Sequence, residues 1–208
     1  MLSAEKNMGE PSVRWILTGG IVVHTKQFKE MNIPSLRHIV IRPITAVDNP
    51  HIAAIIRSSL AEFGANKPGT VFTDPTTDDL FSLFQRDLAY YFVAEYEGSV
   101  LGGGGIFPSD GLPADTCELV KMYLIPTARG AGLGKKIITL CLEKAVEYGF
   151  RKVYIETMPE LKKAVSVYER FGFTHLTGPM GNTGHFGCDV WMIFEPSGIR
   201  KEGSLHDS

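Results

Sequence analysis

An alternating run of glycines, Arg129-Gly130-Ala131-Gly132-Leu133-Gly134-Lys135, constrains the fold of this chain most, because of what flanks it. Before it, Cys117 to Ile125 has strand character and Pro126 stops it. After it, Leu133, Ile137, Cys141, Ala145 and Tyr148 recur at helical spacing, and Ile138 and Leu142 widen the apolar stripe. The order is therefore strand, glycine turn, helix. Glycines let the backbone come close to a bulky group with no Cβ in the way. The first-turn amides of a helix have no partners inside it, and the dipole adds partial positive charge there. Arg129, Lys135 and Lys136 add full charges. Such a turn is a cradle for an anion, most simply a pyrophosphate.

Around this unit the chain alternates between strand and helix signals. Arg37–Ile44 is predicted as a strand, and Asp48-Asn49-Pro50 opens a helix whose apolar face runs from Ile52 to Phe63. The stretch from Gly64 to Thr77 reads as a long loop, a length that in a compact domain tends to be functional. A short helix from Thr77 to Gln85 follows, then strands at Tyr90–Tyr96 and Val100–Phe107 joined at Glu97-Gly98-Ser99. The run Gly102 to Gly105 inside a strand implies a bulge or a close backbone approach. Beyond the glycine unit come a strand at Lys152–Thr157 and a helix from Leu161 to Phe171. Strands at Phe173–Leu176 and Cys188–Glu195 then bracket a loop from Gly178 to Gly187. The fold class is mixed α/β, with its parallel step late in the chain. The domain is predicted over 37–195, with 1–36 an extension of little periodicity and 196–208 a polar tail.

Composition closes some routes. At 208 residues the chain is one domain, and with 44% apolar and 21% charged residues it is ordinary for a soluble enzyme. A net charge of −2 gives no cationic face for nucleic acid. Three widely spaced cysteines, Cys117, Cys141 and Cys188, argue against a disulfide framework and fit a reducing, cytoplasmic setting. No apolar run is long enough to span a membrane. His185 and Cys188 lack a second metal-binding pair, so no metal site is expected.

Two readings of the glycine turn fail on spacing. A phosphate loop of the Walker kind needs Ser or Thr after Gly134-Lys135, and Lys136 stands there. A dinucleotide fingerprint would find a partner in Glu156, at the end of the next strand, but its third glycine is missing and strands precede the motif. A third reading rests on resemblance. Arg129 to Gly134 resembles the acyl-CoA loop of the GNAT superfamily of N-acetyltransferases. Glu118-Leu119-Val120-Lys121-Met122-Tyr123-Leu124 is similar to that superfamily's fourth strand, and Ala164 to Phe173, with Tyr168-Glu169 and Gly172-Phe173, to its last helix and the strand after it. The resemblance spans about 37–195.

The resemblance implies a central mixed, mostly antiparallel sheet of six to seven strands with helices on both faces, and a V-shaped opening between its fourth and fifth strands. It implies acetyl-CoA as cosubstrate, with the pantetheine arm along the backbone of Met122, Tyr123 and Leu124. The pyrophosphate would lie on Arg129, Gly130, Ala131, Gly132, Leu133, Gly134 and Lys135. An Asn usual in the superfamily is replaced by Leu161. The acceptor is a small-molecule or peptide amine, and a homodimer is left open.

Such chemistry has a definite demand. A lysine-like amine with a pKa near 10.4 is neutral in only about one molecule in 2,500 at pH 7, a cost of roughly 4.6 kcal/mol. A carboxylate near the acceptor is the natural helper. Glu118 is the expected base, the plain alternative being a strand glutamate paired to Lys121, and Glu156 is the second choice. Tyr168 is expected to serve the departing thiolate, its plain alternative being a core tyrosine. Asp74, Asp78 and Asp79 could attract an amine, though capping explains the last two as well, and His185 could line the acceptor side. A module that binds acyl-CoA without catalysis, as a sensor, is the competing reading.

Overall fold

Glu97 and Gly98 both take left-handed φ values, 48° and 76°, so β2 (Tyr90–Tyr96) and β3 (Ser99–Phe107) are joined by a two-residue turn whose twist matches that of the strands. This hairpin belongs to a seven-stranded sheet in the computed structural model, which describes residues 36–184 and 186–196. The predicted extension before Leu36, the tail after Pro196 and His185 lie outside the described residues.

The other strands are β1 (Val40–Pro43), β4 (Thr116–Leu124), β5 (Lys152–Thr157), β6 (Thr174–His175) and β7 (Val190–Phe194). Their order is β1-β2-β3-β4-β5-β7-β6, and every neighbouring pair is antiparallel except β4 with β5. The helices are α1 (Asn49–Glu62), α2 (Leu80–Leu83), α3 (Leu133–Glu147) and α4 (Lys162–Phe171). The mostly antiparallel sheet with a late parallel step is the architecture expected from the sequence.

Glycines 102 to 105 show how the layers close. A Cβ on Gly104 would lie 2.5 Å from Met122 Sδ and 3.4 Å from Ile137 of α3, whereas one on Gly105 would meet Phe84, just after α2. Helical segments therefore cover both faces. The apolar stripe of α3 (Ile137, Ile138, Cys141, Leu142) and that of α1 (Ile52, Ile55, Ile56, Leu60) are buried, as the helical periodicity requires. The sequence left two explanations for the glycines, and both hold. Register shifts occur between Ala94 and Glu95 and between Gly103 and Gly105, and backbone oxygens approach where side chains would stand.

A second irregularity faces Gly103 and Gly105. These pair with Tyr123 and Val120, so two steps along β3 match three along β4. The extra residue makes a bulge in β4, where Lys121 has φ 51°.

Several elements are shorter than predicted: the strand expected over Arg37–Ile44 is Val40–Pro43, with a 3-10 turn at Leu36–His38 before it, and that expected over Cys188–Glu195 is Val190–Phe194. The helix expected over Thr77–Gln85 is a 3-10 turn at Pro75–Asp78 followed by the four residues of α2, because Asp74 and Asp79 each cap a separate start. The strand expected over Phe173–Leu176 shrinks to Thr174–His175, since Phe173 turns into the core against Tyr168, their ring centres 5.7 Å apart.

Candidate active site

β4 and β5 run side by side for only three residue pairs, Thr116 with Lys152, Cys117 with Val153 and Glu118 with Tyr154. Beyond Glu118 they part. The edge of β4 that faces β5 then has no strand partner among the described residues from Leu119 onward, and a cleft of about 1030 Å³ opens there. Met122, Tyr123 and Leu124 of β4, the glycine turn and Tyr168 of α4 all line it. This is the V-shaped opening expected from the sequence.

The glycine turn is built to leave donors unmatched. Gly132 is the N-cap of α3 with φ 90°, a left-handed conformation that suits glycine and provides no capping side chain. The amides of Leu133, Gly134 and Lys135 follow it in the first turn, where no intrahelical acceptor exists. Gly130 also has φ 84° and open space where a Cβ would stand. Lys135 is exposed at the cleft.

Arg129 lines the cleft too, but its guanidinium is engaged. Nε donates to Leu124 O at 2.9 Å, and the terminal nitrogens donate to Glu62 at 2.8 and 2.9 Å and to Ser59 Oγ at 3.1 Å. The side chain that the sequence assigned to phosphate thus ties the glycine turn to the end of β4 and to α1.

A second cavity, of about 530 Å³, lies beside the first and shares Glu118, Val120 and Lys121 with it. Three loops build its walls. The loop after α1 supplies Pro68 to Thr76, the loop after β3 supplies Ser109 and Asp110, and the loop before β7 supplies Asn182 to Gly184 and Phe186. Main-chain bonds join them: Gly187 N donates to Gly69 O at 2.8 Å and Asn182 N to Asp110 O at 2.9 Å.

At the junction of the two cavities Glu118 is buried, 3% exposed, and accepts a hydrogen bond from Ser109 Oγ. The charge of Glu118 acts on Lys121, its plain alternative partner, but no salt bridge joins the two. Lys121 instead pairs with Asp74 at 2.6 Å and donates to Thr77 Oγ1 at 3.3 Å. The bulge explains this, because it turns the Lys121 side chain toward the loop after α1. Burial pulls the Lys121 pKa down, against the pull of the Asp74 carboxylate upward.

Tyr168 is 4% exposed and lines the larger cleft, and burial pushes its hydroxyl well above the usual phenol range. Glu156 lines the same cleft but not the smaller cavity. Its oxygens accept from Tyr154 Oη and Thr183 Oγ1, both at 2.7 Å, and Tyr154 Oη accepts from Met180 N at 3.0 Å. Glu156 so anchors the loop before β7. Leu161 lines the cleft without offering a polar group. Of the three aspartates only Asp74 lines the smaller cavity, while Asp78 pairs with Arg57 at 2.6 Å and Asp79 caps α2 through Ser82 N. Sequence reasoning missed Ser109 and the placement of Lys121. A bulge is a property of two paired strands, and no spacing within β4 announces it.

The chain matches the model of the Acetyltransferase (GNAT) family over residues 52–173. It is 46% identical over 158 residues to an uncharacterized N-acetyltransferase, YjgM, of Escherichia coli (strain K12), covering 75% of this chain and 94% of that one. It is 34% identical over 116 residues to the mycothiol acetyltransferase of Streptomyces avermitilis, covering 49% of this chain and 36% of that protein. Among solved structures, a GNAT-family acetyltransferase of Staphylococcus aureus Mu50 superposes with a TM-score of 0.64 at 16% identity, covering 76% of this chain and 98% of that one. A PaiA N-acetyltransferase of Thermoplasma acidophilum, solved in complex with coenzyme A, superposes with a TM-score of 0.57 at 15% identity over 76% and 98%.

Proposed function

The chain belongs to the GNAT family of acetyltransferases, and we propose that it moves the acetyl group of acetyl-CoA to a primary amine of a small molecule or peptide. One observation carries this reading: two cavities of different character meet at one buried carboxylate, Glu118.

The larger cleft suits the donor. First-turn amides at Leu133, Gly134 and Lys135, without acceptors among the described residues, fit a pyrophosphate, and the edge of β4 at Met122, Tyr123 and Leu124, not covered by another described strand, fits the amides of a pantetheine arm. Arg129 contributes by holding the turn in place through Leu124, Ser59 and Glu62. Acetyl-CoA, when bound, supplies the thioester. The smaller, loop-walled cavity suits the amine.

Glu118 faces both cavities, so it is placed to take a proton from the amine as the nitrogen approaches the carbonyl. Ser109 Oγ fixes the carboxylate orientation. Glu156, kept to the donor cleft and bonded to Tyr154 and Thr183, is left with a positioning role. Tyr168, which lines the same cleft, would donate a hydrogen bond to sulfur as negative charge develops there. A binding-only module would have no use for a carboxylate at the junction or for a hydroxyl opposite it.

The test is thiol release from acetyl-CoA against a panel of amines, with Glu118→Gln beside the native protein. The variant should lose most rate at low pH and less as the pH rises, because free amine then becomes available unaided. A loss that stays constant from about pH 7 to 10 would assign Glu118 a structural role.

A further inference from the structure

Lys121 is a charged side chain placed where charge is expensive. It is 4% exposed, it sits in the acceptor cavity, and its backbone has φ 51°, a conformation disfavoured for a residue bearing a Cβ. In a regular strand, residues three apart point to opposite faces, so Lys121 would face away from Glu118. The extra residue in β4 cancels that alternation and brings the ammonium to the cavity that Glu118 lines.

The protein's own structure does not use all of this ammonium. A lysine ammonium has three N–H donors. One goes to Asp74 Oδ2 at 2.6 Å and one to Thr77 Oγ1 at 3.3 Å, and the third has no acceptor among the described residues. Asp74 also acts as a cap, accepting from Thr76 N at 2.9 Å and Thr76 Oγ1 at 2.7 Å, so bonds other than that of Lys121 orient it. A buried, unmatched donor in a cavity is a request for an oxygen from the ligand.

We propose that Lys121 is the recognition point for an oxygen on the acceptor, and that the acceptor is an aminoacyl compound, an amine with a carboxylate or carbonyl on the neighbouring carbon. The nitrogen then meets Glu118 and the oxygen meets the third N–H of Lys121, both reached from the same stretch of β4. Free amino acids and peptide N-termini share this unit. Diamines lack the oxygen and present a second ammonium to Lys121. The inference rests on the acetyl-transfer reading and narrows it.

The experiment measures kcat/KM with acetyl-CoA for alanine, alanylalanine, 2-aminopropane and 1,3-diaminopropane, using the full chain. Alanine, alanylalanine or both should exceed 2-aminopropane by about 10- to 150-fold, the worth of one hydrogen bond to a charged group. The order of alanine and alanylalanine tells a free amino acid from a peptide end. In Lys121→Met that ratio should fall to near one, and Lys121→Arg should restore part of it. CoA binding by calorimetry confirms that each variant is folded. Should Lys121→Met not fold, the native ratio and its change in Lys121→Arg decide. A native preference for 1,3-diaminopropane or 2-aminopropane overturns the proposal and leaves acetyl transfer standing, as does a ratio that survives in Lys121→Met. No acetyl transfer to any amine, with no CoA bound, overturns both readings.

Discussion

Replacing Tyr168 by Phe isolates one oxygen atom. The ring stays, with its packing against Phe173 at 5.7 Å, and the only loss is a hydroxyl with no protein hydrogen-bond partner among the described residues. A phenol near 10 is a weaker acid than a thiol near 8.5, so full proton transfer to the leaving sulfur is uphill by about 2 kcal/mol before the site acts. Burial raises the Tyr168 hydroxyl further and makes transfer harder still. The hydroxyl is left with one chemical use, donating a hydrogen bond to the developing thiolate, worth about 1.5–3 kcal/mol for a charged partner. Tyr168→Phe should therefore lower kcat by about 10- to 150-fold, with little change in acetyl-CoA affinity. Because the raised pKa keeps the hydroxyl protonated, the ratio of native to variant kcat should stay flat from about pH 6 to 10. The melting temperature should move by no more than about 4 °C, since a buried hydroxyl without a protein partner adds little stability. Steady-state kinetics, calorimetry and thermal melts on the two proteins provide all three readouts. Full kcat in the variant would return Tyr168 to the core, and a lost kcat with an equal loss of acetyl-CoA affinity would make it a binding residue.

Gly132→Asp should weaken CoA binding at least about 100-fold, because it adds bulk and like charge beside the first-turn amides of α3, and unchanged calorimetric affinity in the folded variant would refute the cradle. Asp48 tests a part of the fold far from chemistry. Its carboxylate is 2% exposed and accepts from Arg42 at 2.7 and 2.9 Å and from Thr45 N and Oγ1 at 2.8 and 2.7 Å. Burial alone would raise its pKa, but these bonds prevail and hold it below the usual 3.8. Unfolded chains therefore bind the proton more readily, so the contribution is complete above pH 4 or so and fades as the pH falls through the folded value. Asp48→Asn should cost about 2–3 kcal/mol, discounted because Arg42 is 27% exposed, and lower the melting temperature by about 4–12 °C at pH 7. The gap between the native protein and Asp48→Asn should narrow in melts below pH 3.5 or so, and a constant gap would contradict the linkage.

Sequence reasoning read best where one segment carries its own signal. The strand, glycine turn and helix from Thr116 to Glu147 were legible because periodicity and glycine spacing are local. Glu118 and Tyr168 were legible only through resemblance, and the structure adds that one stands at the junction of the cavities and the other on the wall of the donor cleft. What stayed hidden depends on partners far along the chain. Lys121 meets Asp74 47 positions away, and Arg129 meets Glu62 67 positions away. No local pattern encodes either contact. Short elements were misjudged for a related reason: at Phe173 and around Asp79, tertiary packing and caps decide where two to four residues begin and end.

The larger cleft is made of strand edge and helix end, while the smaller cavity is walled mostly by three loops joined through backbone amides and carbonyls. Those joints, Gly187 to Gly69 and Asn182 to Asp110, involve no side chains. Apart from Thr183, whose hydroxyl bonds Glu156 in the larger cleft, side chains around the smaller cavity can therefore be exchanged while these main-chain joints hold. On the acetyl-transfer proposal, a lineage built on this scaffold is free to change which amine it modifies by drift in a handful of loop positions, with the acetyl source held constant.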